Sequence, residues 1–217
     1  MLTVNRQEIY RYLGYGMQEP DAEVRRAVED CLTFLIPQLE TREVHRAFSL
    51  QFTGRNTLDI GGLVIQSSAL AKNLDGCSEV CMMAATVGFA PDRLSARAAA
   101  AGKVSRSLMY LAAGTALIEA WCDQVSGLIR EEFAGQGLYP RPRFSPGYGD
   151  FALEYQQDLM QMLRVQKTIG VTLTESLLMM PSKSVTALIG LSVQDEQCTV
   201  SGCEVCAKAA SCSYRRF

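Results

Sequence analysis

The sequence predicts an α+β fold: a single domain with a mixed or antiparallel twisted sheet flanked by helices. Three observations carry that expectation. Hairpin-like strand segments lie towards both ends of the chain with helical periodicity between them, an order that suits α+β better than a doubly wound sheet. Val80 to Val87 is a nearly uninterrupted apolar run, as expected of a strand covered on both faces. No dinucleotide fingerprint or phosphate-cradling Gly-rich loop follows any early strand.

The elements follow in order. Asn5 to Leu13 predicts a short helix ending near Gly14 and Gly16. Asp21, after Pro20, is a cap for a second helix, in which Val24, Ala27, Val28, Cys31 and Leu35 recur at helical spacing. Pro37 marks its end. His45 to Phe52 alternates like a strand, and Leu58 to Ile65 reads as another, loosened by Gly61 and Gly62. Ser67 or Ser68 opens a helix through Leu74, closed by Asp75-Gly76.

After the apolar run, Thr86-Val87-Gly88 turns the chain out of the sheet. Pro91-Asp92 starts a long helical region to about Phe133, with a break expected near Gly102 or Gly114. Extended backbone with Pro140, Pro142 and Pro146 comes next. A helix from Phe151 to Gln166 and two closing strands, Val171 to Leu178 and Ser184 to Leu191, complete the chain.

Composition narrows the function classes. Apolar residues make up 48% and charged residues 20% of 217, ordinary values for a globular chain able to bury a substantial core. A net charge of −2 gives no electrostatic case for nucleic acid or an anionic membrane surface. No apolar stretch reaches the length of a membrane span, and Met1-Leu2-Thr3-Val4 runs straight into polar residues rather than a secretion signal. The cytoplasm is the expected compartment.

Arg143-Phe144-Ser145-Pro146-Gly147-Tyr148 is the most informative segment. Pro146 fixes its own φ and pushes Ser145 towards extended backbone, while Gly147 permits a turn or a close approach. The expected result is a preshaped loop whose Gly147 and Tyr148 amides face a ligand. Arg143 would grip a carboxylate, and Tyr148 would offer an aromatic face, to which a sulfonium is drawn by cation–π attraction. Alone, Pro-Gly-Tyr is more simply read as a turn.

Further segments at matching intervals change that weighting. Leu173-Thr174-Glu175-Ser176, Met179-Met180-Pro181 and Ser184-Val185 follow the loop, and Arg11-Tyr12-Leu13-Gly14 and Thr86-Val87-Gly88 precede it. Together these residues resemble the activation domain of cobalamin-dependent methionine synthase, most closely over residues 137–190. Where that family carries a Cys-Pro-x-His-Thr-Glu type of stretch, this chain has Gly149-Asp150-Phe151-Ala152-Leu153-Glu154.

The resemblance implies S-adenosylmethionine as methyl donor, with Arg143, Ser145, Gly147 and Tyr148 as the residues that carry over. It implies a partner as well: the cobalamin of a methionine synthase or another corrinoid protein. An electron donor is also required. The expected activity is a stand-alone reactivation function, in which one electron and a methyl group restore the partner's oxidised corrinoid. The rival expectation is a metal- or cluster-carrying corrinoid-protein partner that no longer binds S-adenosylmethionine.

Eight cysteines without an export signal argue against a disulfide framework. Cys31, Cys77, Cys81 and Cys122 lie among apolar residues and suit burial. Cys198-x4-Cys203-x2-Cys206-x5-Cys212 forms a separate tail, so the chain divides into residues 1–195 and a cysteine-rich 196–217. Four thiolates at that density suit zinc or an iron–sulfur cluster, and the spacing does not choose between them. His45, the only histidine, is expected to be structural or exposed, and Asp150, Glu154 and Asp158 to serve the dipole of the helix they begin.

Overall fold

The computed structural model describes residues 2–16 and 18–194. The four tail cysteines assigned to a metal site, Cys198, Cys203, Cys206 and Cys212, lie outside the described residues.

Helix α1 (Arg6–Tyr12) starts where Asn5 accepts a hydrogen bond from the Gln7 amide. Helix α2 (Ala22–Leu35) is capped by Asp21, whose carboxylate accepts from the Val24 amide at 2.8 Å. A 3-10 turn over Ile36–Gln38 then carries Pro37. The sheet begins with β1 (Arg42–Gly54), β2 (Thr57–Ile60) and β3 (Leu63–Gln66). The single strand expected over Leu58 to Ile65 is thus two strands. Gly61 and Gly62 both take positive φ, +60° and +94°, and close a two-residue hairpin between them.

Ser67 caps α3 (Ser68–Asn73) by accepting from the Leu70 amide. Then follow β4 (Cys77–Thr86), α4 (Ala90–Ala100) and α5 (Val104–Ala134). Of the two breaks weighed, only Gly102 (φ +72°) interrupts the helical region; Gly114 sits inside α5. Strand β5 (Tyr139–Pro140), helices α6 (Tyr155–Met162) and α7 (Val165–Ile169), and strands β6 (Thr172–Leu173), β7 (Met179–Met180) and β8 (Ser184–Ser192) complete the fold.

The main sheet has the order β3-β2-β1-β4-β8-β5, and every described pairing is antiparallel. Strand β4 is central, and its alternation explains its unbroken apolarity. Val80, Met82 and Ala84 face a core shared with α3, α6 and α7. Cys81, Met83 and Ala85 face a second core shared with α5, through Ile118, Cys122, Val125 and Ile129. Desolvation in that second core pushes the Cys81 and Cys122 thiols up to about 12, so both stay protonated.

Helix α5 is about 46 Å long, at 1.5 Å per residue over its 31 residues. It therefore serves two cores. Its first half supplies Tyr110, Ala113 and Leu117 to a third cluster with α1, α2 and α4. Among the described residues no helix is long and apolar enough to cross a membrane.

Candidate functional site

The Pro-Gly-Tyr segment folds into two consecutive tight turns. Tyr148 donates its amide to the Ser145 carbonyl at 3.2 Å, with Pro146 and Gly147 (φ +92°) at the two corners, the arrangement of a type II turn. Phe151 then donates to the Tyr148 carbonyl at 3.0 Å, and Gly147 donates to the Phe151 carbonyl at 2.7 Å. The sequence led us to expect the Gly147 and Tyr148 amides to face a ligand. Both are consumed by the turn itself, because chain reversal over so few residues brings carbonyls within their reach.

Four aromatic rings run beside these turns. Tyr148 meets Phe144 edge-on at 6.0 Å, Phe144 stacks on Phe151 at 6.3 Å, and Phe151 stacks on Tyr155 at 5.5 Å. Phe151 is buried, whereas Tyr148 is 59% exposed, so the row ends in an open ring.

Arg143 is placed differently from the expectation. Phe144 bridges Leu188 of β8 and packs on the core that contains α6 and α7. Successive residues of extended backbone point to opposite faces, so Arg143 turns towards α5. There its guanidinium donates to Ser126 Oγ and to Asp123 Oδ1, each at 2.9 Å, with Glu119 3.5 Å away. Arg143 and Tyr148 therefore have separate partners: the guanidinium meets α5, while the Tyr148 ring meets Phe144, which packs on the other core. Ser145 is half-buried within the first turn, where its carbonyl accepts the Tyr148 amide.

The turns also deliver Asp150 to another element. Its carboxylate accepts from the Ser67 and Ser68 hydroxyls, each at 2.6 Å, and from the Ser68 and Ala69 amides at 2.8 and 3.0 Å. These bonds hold the carboxyl well below its usual range. Asp150 therefore serves the N-terminus of α3, not of the helix that follows it in sequence. Asp158 does lie in the first turn of α6. Glu154 precedes that helix without a side-chain cap bond.

The other matching segments meet in space. Ser184 Oγ donates to Thr86 Oγ1 at 2.9 Å, the Gly88 amide donates to the same oxygen at 3.1 Å, and the Val87 amide donates to the Lys183 carbonyl. Ser182 donates to Asp92 at the start of α4. Glu175 stands exposed in the turn between β6 and β7, outside either strand.

His45 is bound through both ring nitrogens. Nδ1 meets Glu43 and Nε2 meets Glu132, each at 2.8 Å. Burial pushes its pKa down, but the two carboxylates outweigh burial and the net direction is up. Two carboxylates on one imidazole fit the imidazolium and leave neither nitrogen open to a metal. Among the described residues no group of three or more His, Cys, Asp or Glu side chains gathers as a metal site.

A cavity of about 660 Å³ opens between α6, α7 and β6, and another of about 510 Å³ lies between α2, α4 and α5. Residues 143–148 line neither of them. No sequence motif pointed to the larger one.

Residues 70–204, more than half of the chain, match the family model described as vitamin B12 dependent methionine synthase, activation domain. The chain belongs to this family. The matched span includes the doubly turned segment, the Thr86–Ser184 junction and two of the tail cysteines, Cys198 and Cys203. The crystal structure of the MetH reactivation domain bound to AdoHcy shares the fold, with a TM-score of 0.64 over 88% of this chain and 77% of that one. At 18% identity the likeness is one of architecture. No match was found among curated proteins. The family assignment fits the antiparallel sheet with helices on both faces.

Proposed function

We propose that this activation-domain chain works as a stand-alone, cytoplasmic protein that restores the spent corrinoid of a cobalamin-dependent methionine synthase. One electron from a separate donor and the methyl group of S-adenosylmethionine would return the partner's cobalamin to its methylated form. The observation that carries this reading is the family match over residues 70–204. The bound AdoHcy of the structurally similar reactivation domain supports it, since AdoHcy is what remains of S-adenosylmethionine once its methyl has left.

The residues present fit the methyl donor in part. The open Tyr148 ring suits a sulfonium or a flat base, with cation–π attraction of about 0.5–2 kcal/mol. Gly147, held at φ +92° beside Tyr148, adds no side chain that would crowd a ligand there, and Ser145 is half-buried in the same turn. Arg143 fits poorly as a carboxylate clamp, because Asp123 and Ser126 take two of its five donors and the carboxylates of Asp123 and Glu119 already balance its charge. We assign it the anchoring of the segment against α5 instead.

The same observation favours a second reading. A pinned Arg143 and internally bonded amides are what a relative that no longer binds S-adenosylmethionine would show. In that case the chain would carry a metal or iron–sulfur cluster to the corrinoid partner, on Cys198, Cys203, Cys206 and Cys212. Sequence spacing alone supports that cluster, and metal and sulfide analysis of the anaerobically purified chain tests it.

A reactivation assay tests the first reading. Methionine synthase lacking its own activation segment, and stalled as cob(II)alamin, is supplied with a reductant, S-adenosylmethionine and this chain. The expected result is return of the methylcobalamin absorbance only when all three are added. Recovery at the same rate without the chain would defeat the reading.

A further inference from the structure

Helices α6 and α7 each end on a left-handed residue, and the two endings differ in kind. The residue after a helix C-cap is usually glycine, which takes that conformation without a Cβ penalty. Gly170, the cap residue of α7, takes that conformation at φ +75°. After α6 the cap is Leu163 and the left-handed residue is the next one, Arg164, at φ +52° and ψ +41°, donating its amide to the Gln161 carbonyl. A left-handed arginine is strained relative to glycine. Its side chain offers the fold nothing visible in return: among the described residues the Arg164 guanidinium makes no hydrogen bond or ion pair.

That guanidinium lines the 660 Å³ cavity. Lys167, three residues on and also without an ion pair among the described residues, lines it too. Gln161 and Gln166 add amides, and Met160, Val171 and Leu173 provide an apolar wall. No carboxylate lines the cavity, so its side chains carry two uncompensated positive charges. A volume of this size falls in the range of small-molecule sites.

We propose that this cavity binds a phosphate monoester with an apolar, ring-sized body, gripped by Arg164 and Lys167. A phosphate monoester carries close to two negative charges at neutral pH and so matches the two cations. The apolar wall receives the rest of the ligand. The site is separate from the Tyr148 turn, and the proposal stands whether or not S-adenosylmethionine binds there.

Phenyl phosphate is a suitable probe, with inorganic phosphate and phenol as its two halves, titrated by calorimetry into the full chain. Wild type is expected to bind phenyl phosphate more tightly than either half. Arg164→Gly is expected to weaken it about tenfold or more, the loss of one charge-assisted bond. The same variant is expected to keep its Tm or gain up to about 3 °C, as backbone strain is relieved. Lys167→Gln is expected to weaken binding at unchanged Tm. Equal affinity in wild type and Arg164→Gly, no saturable phenyl phosphate binding, or a Tm that falls in Arg164→Gly would each overturn the proposal.

Discussion

At the scale of single residues, the chemistry around the motif depends on which face each side chain occupies. Arg143 and Phe144 are neighbours in sequence, yet one reaches Asp123 on α5 and the other joins the opposite core. Arg143→Ala is expected to cost about 1–2 kcal/mol of stability, the usual loss for a partly buried hydrogen bond to a charged group. Its affinity for S-adenosylmethionine should change by less than about tenfold. Denaturant unfolding and calorimetry check the two halves, and a much larger loss of affinity at unchanged stability would restore the carboxylate clamp.

His45 gives a second test at this scale. Its folded pKa is raised, so its contribution to stability is complete below the unfolded value of about 6.5. That contribution is lost as pH rises through the higher folded value. As the only histidine, it gives a single imidazole titration by NMR, expected with a midpoint above the ordinary histidine value. Glu132→Gln should lower that midpoint. A titration at or below the ordinary histidine value would refute the paired imidazolium.

At the scale of elements, two glycines in α5 separate packing from propensity. A Cβ on Gly114 would sit 2.7 Å from Cβ of Pro91, whereas one on Gly127 would meet nothing within 4 Å. Replacing a helical glycine by alanine gains about 1 kcal/mol of propensity. Overpacking a fixed contact costs about 1–3 kcal/mol. Gly127→Ala should therefore raise stability by about 0.5–1 kcal/mol, while Gly114→Ala should lower it by up to about 2 kcal/mol. Equal effects of the two, read from denaturant midpoints, would show that α4 does not press on α5 as described.

These positions also show what the sequence discloses and what it hides. Asn5, Asp21 and Ser67 announce three helix starts, because a cap acts on amides two or three residues away. The Val80–Val87 run gives the central strand, because burial on both faces removes polar residues from it. Gly61-Gly62 misleads as a loosened strand, since positive φ at both residues is settled only when the flanking strands pair. Asp150 misleads likewise: its partners, Ser67 and Ser68, are more than eighty residues away. Arg164 carries no local signal, because glycine is what normally marks a left-handed helix end.

At the scale of the whole molecule, one antiparallel sheet holds the turned segment on one side and its anchor helix on the other. Helix α5 packs its first half into the lobe formed with α1, α2 and α4 and then grips Arg143 through Asp123 and Ser126. The Thr86–Ser184 junction joins β4 to β8 below the start of α4. The span that matches the family, residues 70–204, thus includes segments that tie the layers together as well as the turn itself. The architecture was readable from strand and helix patterning; the separation of Arg143 from Tyr148 was not, because it depends on how residues 143–144 register against β8.

Calorimetric titration of the full chain with S-adenosylmethionine, in wild type and Tyr148→Ala, tests most directly whether this activation-domain chain still holds a methyl donor. The expected result is saturable binding that Tyr148→Ala weakens about tenfold or more, in line with the loss of one aromatic stacking contact. No binding to wild type, or equal binding to both proteins, would contradict it.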